Sequence, residues 1–209
     1  MKNLAILGAG GHGKVAADIA EQLGWNIHFF DLAYPQVKKC GLWEVVGDEK
    51  SLIKHAANYD AVFVGIGNNS IRAKKQKEFK QLGFTITSLI SPAATLSAHV
   101  EIGEGVLIVA NACINIDTKI ADGVIINTGA NIDHDNDIGA FSHISPGVNL
   151  AGEVTIGQQC WIGIGSTVIH QITVADNVMV GAGTVIINDV PESVTVVGCP
   201  ARIANQRKC

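Results

Sequence analysis

The sequence predicts a chain of two domains, an α/β domain over residues 1–85 and an all-β coil of short parallel strands with a C-terminal tail over residues 86–209. Three observations carry this. From Ile90 to Ile186 every sixth residue is Ile, Leu or Val, seventeen positions without exception. Before Ile90 the pattern alternates apolar runs of strand length with stretches at helical spacing. Between the first strand and the first helix lies the glycine loop Gly8-Ala9-Gly10-Gly11-His12-Gly13-Lys14.

In the first domain Leu4–Leu7 reads as a buried strand, and 14–23 as a helix with Val15, Ile19 and Leu23 on one face. A strand over Ile27–Phe30, a helix near 48–57, a strand over Ala61–Ile66, a basic helix over 70–82 and a final strand over Thr85–Leu89 follow. Strand and helix in turn make a small, Rossmann-like parallel sheet. Such sheets bind ligands beyond the carboxyl ends of their strands. Those ends carry the glycine loop, Asp31, and the segment from Gly65 through Gly67 and Asn68 to Arg72. Gly8, Gly10 and Gly13 satisfy G-x-G-x-x-G, with Asp31 eighteen residues after the last glycine. A domain this short holds half a dinucleotide unit, so a full NAD site is not expected. Backbone amides at the helix N-terminus suit the diphosphate of a nucleotide-linked ligand instead. His12, unusual in such a loop, points to a polar contact with substrate.

The coil follows from the period. Six residues match neither a 3.6-residue helix nor a meander of hairpins, but they match one short strand and one corner per face, three faces to a turn. Residues about 18 apart then stack at the strand spacing of roughly 4.8 Å. Two residues before the aliphatic anchors stand small or β-branched residues, among them Ala112, Thr118, Val124, Ala130, Ser142, Val148, Cys160, Ser166 and Thr184. A narrow interior can close around these without overpacking. Glycine follows the anchor at Gly103, Gly139, Gly157, Gly163 and Gly181, which reads as corners that need a permissive backbone.

Composition narrows the function. Charged residues are only 16% of the 209, which suggests that another subunit covers an outer face. A net charge of -4 and no Lys/Arg run argue against nucleic acid as a partner. The five cysteines, Cys40, Cys113, Cys160, Cys199 and Cys209, form no Cys-x-x-Cys pair, so free thiols in a reducing compartment are expected. Neither a cleavable leader nor a run of the ~20 apolar residues of a membrane helix is present, and the expectation is a soluble, cytoplasmic protein.

His28, His55 and His99 carry no pattern. His134 does, because with Asp135 it interrupts the apolar rhythm in Asn131-Ile132-Asp133-His134-Asp135-Asn136-Asp137. A carboxylate that orients an imidazole and supports its positive charge makes a general base. Adjacent residues of a straight strand point to opposite faces, so this pairing requires a corner here. His143 lies nine residues on, and His170 repeats the hexad position of His134 two coils later. Zinc hydration chemistry would need a third histidine that this region lacks, so no metal is expected.

Together the hexad coil, the glycine loop, the His134-Asp135 pair and the closing Gly198-Cys199-Pro200-Ala201-Arg202 resemble the trimeric left-handed β-helix acetyltransferases of the PglD type, which modify nucleotide-activated amino sugars. The NeuD-type sialate O-acetyltransferases are close relatives. The resemblance implies a left-handed coil, a homotrimer and acetyl-CoA as co-substrate. It implies His134 as general base, Asp135 as its carboxylate where relatives carry Glu, and the Gly152 amide as oxyanion donor. It also implies His143, Ile164 and Ala182 as acetyl-CoA contacts, with Gly10, Gly11, His12, Gly13, Asp31, Gly67 and Asn68 holding the nucleotide sugar. The implied reaction is N-acetylation of the 4-amino group of a UDP-linked amino-dideoxy sugar for glycan or surface polysaccharide synthesis. O-acetylation of a sialic acid is the alternative, ahead of a non-catalytic binding coil.

Overall fold

A computed structural model describes residues 2–206, which divide after Pro92 into two compact units. Cys209 lies outside the described residues; the other four cysteines are free thiols.

In the first unit, β1 (Asn3–Leu7), β2 (Asn26–Phe30), β3 (Lys39–Cys40), β4 (Trp43–Gly47) and β5 (Ala61–Val64) form one sheet in the order β3-β4-β2-β1-β5. Its helices are α1 (Gly11–Gln22), α2 (Glu49–Lys54) and α3 (Asn69–Gln81). β1, β2, β4 and β5 run parallel. Leu4–Leu7 of β1 and all four residues of β5 are apolar and buried, because helices cover both faces of such a sheet. Leu52 of α2 and Phe79 of α3 pack with Ala5, Leu7, Phe30, Val62 and Val64 in one cluster. α1 buries Gly13, Ala16, Ala17, Ile19 and Ala20. Asp48 and Asn68 cap α2 and α3, accepting from the Ser51 and Ile71 amides at 2.8 and 3.0 Å.

Two corrections concern this sheet. β3 and β4 form an antiparallel edge hairpin where the sequence reading has no element. Its signal is legible in retrospect, with Gly41 at φ 63° in the turn and Val45 and Gly47 buried against exposed Glu44 and Val46. Of the strand expected over Thr85–Leu89, Ile86 makes a single parallel bridge to Val62, and Leu89 belongs to a separate two-residue strand with Ile90. Ile86 and Leu89, the buried residues of the expected strand, stand three apart, and a strand of period two turns such a pair to opposite faces.

The second unit is a parallel β-helix of two-residue strands. One face stacks Thr95, Cys113, Asn131, Asn149, Thr167 and Val185; the second stacks Glu101, Lys119, Asp137, Thr155 and Thr173. The third stacks Leu107, Ile125, His143, Trp161 and Met179. Every step is 18 residues, so each coil hydrogen-bonds to the next in strict register, as from Cys113 N to Ala130 O at 2.9 Å. The anchors from Ile108 to Ile186 are buried. The small positions two residues earlier, Ala112, Thr118, Ser142, Cys160 and Thr184 among them, are fully buried, which lets the three faces close. Val194–Val197 continues the third face, and Arg202–Gln206 turns back antiparallel to it.

The corner glycines require a correction. Left-handed backbone recurs at every sixth position from Gly105 to Gly183, two residues beyond the expected glycines. Asn111, Asp117, Asp135, Phe141, Glu153, Gln159, Gln171 and Asn177 hold it as well as glycine does. None is β-branched, the side-chain type least compatible with positive φ. Gly139, Gly157 and Gly163 serve close approach instead. A Cβ on Gly139 would lie 2.5 Å from Gln158 N, and one on Gly163 2.5 Å from Val180 O, each on the next coil.

Candidate functional site

His134 stands at the corner between the first and second faces, and the corner is what joins it to Asp135. Asp135 has φ 57°, so the chain turns from one face to the next and two successive side chains converge, with Nδ1 of His134 2.7 Å from Oδ2 of Asp135. The corner is held from within. Asn136, buried, donates from its amide to the carbonyls of Asp133, His134 and Ala151 at 2.8, 3.1 and 3.0 Å. Thr118 of the preceding coil donates to Asp133 O at 2.9 Å. Asp133 in turn accepts from the His134 amide and from Asn115, both at 2.9 Å.

Gly152 occupies the same position one coil later. A Cβ there would fall 2.5 Å from Cε1 and 2.7 Å from Nε2 of His134, so the imidazole lies directly against its backbone. The Gly152 N–H has no acceptor among the described residues, whereas its carbonyl accepts from Gln171 N at 3.1 Å. His134 and Asp135 are about half exposed. The hydrogen bond to Asp135 holds the His134 pKa above its ordinary value, and the charges of Asp133, Asp135 and Glu153 add to the effect. With Nδ1–H directed at Asp135, the Nε2 lone pair is left to take a proton.

His143, Ile164 and Ala182 are not at this corner. His143 is buried on the third face, its ring 4.2 Å from that of Trp161 and its Nε2 3.1 Å from the Asn127 amide. Ile164 and Ala182 are exposed at the corner between the third and first faces, adjacent through Gly183 N to Ile164 O at 2.8 Å. A groove of about 530 Å³ runs along the first face, lined by Asn131, Asp133, Asn149, Ala151 and His170 among others.

In the first unit a pocket of about 340 Å³ gathers Gly10, Gly11, His12, Asp31 and Gly67 with Leu32, Glu49, Ile66, Ile71 and Lys75. Gly10 caps α1 without a side chain and no acid lies in the first turn, so the amides of that turn face the pocket. Asp31 braces the loop, accepting from Ala9 N at 2.7 Å and Ala33 N at 2.8 Å. Gly13 and Asn68 are not pocket walls. A Cβ on Gly13 would collide with Gly8 O, so this glycine permits the packing of helix on strand, and Asn68 serves as the cap of α3. Burial and the nearby Arg72 lower the His12 pKa to about 4, and the imidazole is neutral.

Two sequence models match the chain, the PglD N-terminal domain over residues 3–79 and the bacterial transferase hexapeptide repeat over 153–188. PerB from Caulobacter crescentus, solved with CoA and GDP-perosamine, is similar at 36% identity and TM-score 0.93 over 98% of both chains. The acetyltransferase domain of PglB from Neisseria gonorrhoeae, solved with acetyl coenzyme A, is similar at 39% identity and TM-score 0.92 over 97% of this chain and 98% of that one. WeeI from Acinetobacter baumannii is similar at 27% identity and TM-score 0.90 over 97% and 100%. The chain belongs to the PglD-type nucleotide-sugar N-acetyltransferases.

As a PglD-type enzyme it is an acyltransferase with acetyl-CoA as co-substrate. Several residues of the candidate site escape sequence reasoning. Asn136 shares its hexad position with Thr118, and only the fold shows that both turn inward to tie the corner. Arg72 carries the same lesson. It is buried and donates to the Ile66 and Gly67 carbonyls at 3.1 and 3.0 Å, shaping the loop before α3. Glu49 and Lys75, 26 residues apart, reach one pocket only because α2 and α3 lie on the same face of the sheet.

Proposed function

We propose that the chain transfers the acetyl group of acetyl-CoA to the 4-amino group of a UDP-linked amino-dideoxy sugar, in the cytoplasm, for glycan or surface polysaccharide synthesis. The observation that carries this reading is the His134–Asp135 pair at 2.7 Å, set against the backbone of Gly152. His134 Nε2 takes a proton from the amine as its nitrogen attacks the thioester carbonyl. The Gly152 N–H stabilises the tetrahedral oxyanion, which collapses to the amide as CoA leaves and is protonated. The first-unit pocket holds the nucleotide, with the α1 amides toward the diphosphate and Asp31 beside the ribose.

His143, Ile164 and Ala182 bind acetyl-CoA in this reading. They lie away from the His134 corner, His143 on the third face and Ile164 and Ala182 at the corner between the third and first faces of the next two coils, so in this reading a complete site draws on two subunits of a homotrimer. Structures of the Caulobacter perosamine N-acetyltransferase with one histidine replaced by asparagine or alanine resemble this chain as well, in line with a histidine at the centre of the chemistry.

The test is release of CoA thiol, with the product identified by mass, from UDP- and GDP-linked 4-amino-4,6-dideoxy sugars and from free and CMP-linked sialic acid. GDP is included because the Caulobacter enzyme was solved with GDP-perosamine. Acetylated amine on a nucleotide sugar is the expected product. Acetylation of sialic acid alone would replace this reading with O-acetyl transfer.

A further inference from the structure

The first-unit pocket contains an ion pair that neither diphosphate nor ribose binding uses. Lys75 Nζ lies 2.9 and 2.8 Å from the two carboxylate oxygens of Glu49, and Glu78 holds the same ammonium at 2.8 Å. Glu49 and Lys75 both line the pocket shared with the glycine loop and Asp31. Their side chains are only 20% and 22% exposed, so they meet a ligand under partial shielding from water. Beside them stand Leu32 and Ile71, 82% and 47% exposed, apolar surface that gains by contact with a flat ring. In a sheet of this type the diphosphate sits at the helix N-terminus and the ribose at the acid ending the second strand. The base then lies beyond Asp31, on the side of α2 and α3.

We infer that the Glu49–Lys75 pair reads the base of the sugar nucleotide, selecting the edge on which a ring N–H adjoins a carbonyl. A carboxylate only accepts and an ammonium only donates. Uracil offers N3–H beside C4=O and guanine N1–H beside C6=O, so Glu49 accepts from the ring nitrogen while Lys75 donates to the oxygen. Cytosine and adenine present the reverse, a ring-nitrogen lone pair beside an amine, and each would set lone pair against carboxylate and N–H against ammonium. Lys75 has three N–H groups for Glu49, Glu78 and a base oxygen. The inference rests on the sugar-nucleotide reading above and narrows it to uridine or guanosine carriers.

Calorimetric titration of the whole protein with UDP, GDP, CDP and ADP tests it, with acetyl-CoA titrated in parallel. The better of UDP and GDP should bind at least about tenfold tighter than CDP and ADP, the smaller end of what hydrogen bonds to charged groups contribute. Glu49→Gln should shrink that ratio to about threefold or less, because an amide offers a donor as readily as an acceptor. Lys75→Met should shrink it as well, and melting curves check that both variants fold. CDP or ADP binding as tightly as UDP and GDP would overturn the inference, as would a preference that survives in both folded variants. If acetyl-CoA binds and none of the four nucleotides does, the sugar-nucleotide reading falls, and the inference with it.

Discussion

Gly152 and His134 constrain one another at the distance of a single Cβ. Alanine at 152 would place a carbon 2.5 Å from the imidazole, so Gly152→Ala must push His134 out of register with Asp135. Its turnover should approach that of His134→Ala, for which a loss of roughly 10² to 10⁴ is expected with the fold intact. Steady-state rates with saturating acetyl-CoA check both, and unchanged turnover in His134→Ala would remove this residue from the chemistry. The sign of the pH dependence follows from the same contacts. Only neutral His134 accepts a proton, and Asp135 raises its pKa, so the acid limb of the rate profile should lie above the ordinary histidine value of 6.5. Asp135→Asn removes the hydrogen-bonded charge and should move that limb to lower pH while costing less turnover than His134→Ala. Glu153, held by Gln171 at 3.0 Å, acts on the ring only through its field, and Glu153→Gln should move the limb in the same direction.

The loop between β1 and α1 separates two uses of glycine. Around Gly11 nothing lies within 4 Å of an added Cβ, so Gly11→Val should fold normally and raise the Michaelis constant for the nucleotide sugar while leaving that for acetyl-CoA alone. Gly13→Ala collides with Gly8 O and should cost about 1 to 3 kcal/mol of stability, read by chemical denaturation. Equal losses for both substrates in Gly11→Val would contradict the division of labour between the units. His12 in the same loop couples stability to acid. Its pKa is about 4 when folded against an ordinary 6.5, so between those values the unfolded chain takes up a proton that the folded chain refuses. Stability should therefore fall as pH drops from 6.5 to 4, by up to about 3 kcal/mol from this residue. Denaturation of His12→Gln across that range should show a smaller loss.

At the scale of the whole molecule, the proposed acetyl-CoA contacts Ile164 and Ala182 lie at the corner between the third and first faces, and the proposed base His134 at the corner between the first and second. A trimer closed by rotation brings unlike corners of neighbouring chains together without leaving an open edge. Light scattering should give three times the mass of one chain for active enzyme, and a monomer at full activity would exclude a shared site. Mixing His134→Ala chains with chains carrying Ile164→Arg should restore part of the activity, because some interfaces then pair an intact base with an intact acetyl-CoA surface.

The hexad period alone determined the coil, since only stacked short strands keep an aliphatic residue inside at every sixth position and leave an 18-residue register between coils. The same period exposed the His134–Asp135 interruption and required a corner there, where Asp135 at φ 57° supplies one. The glycine loop and Asp31 were legible because strand, loop and helix follow one another directly in the chain. Only the tertiary structure decided which glycines turn the chain and which clear the next coil, because both kinds look alike in sequence and differ in what lies 18 residues away. It also showed Gly13 packing helix on strand and Asn68 capping α3, and brought Glu49 to Lys75 across 26 residues. Local pattern reports which face of an element is buried; what that face meets is set by the packing of elements distant in the chain.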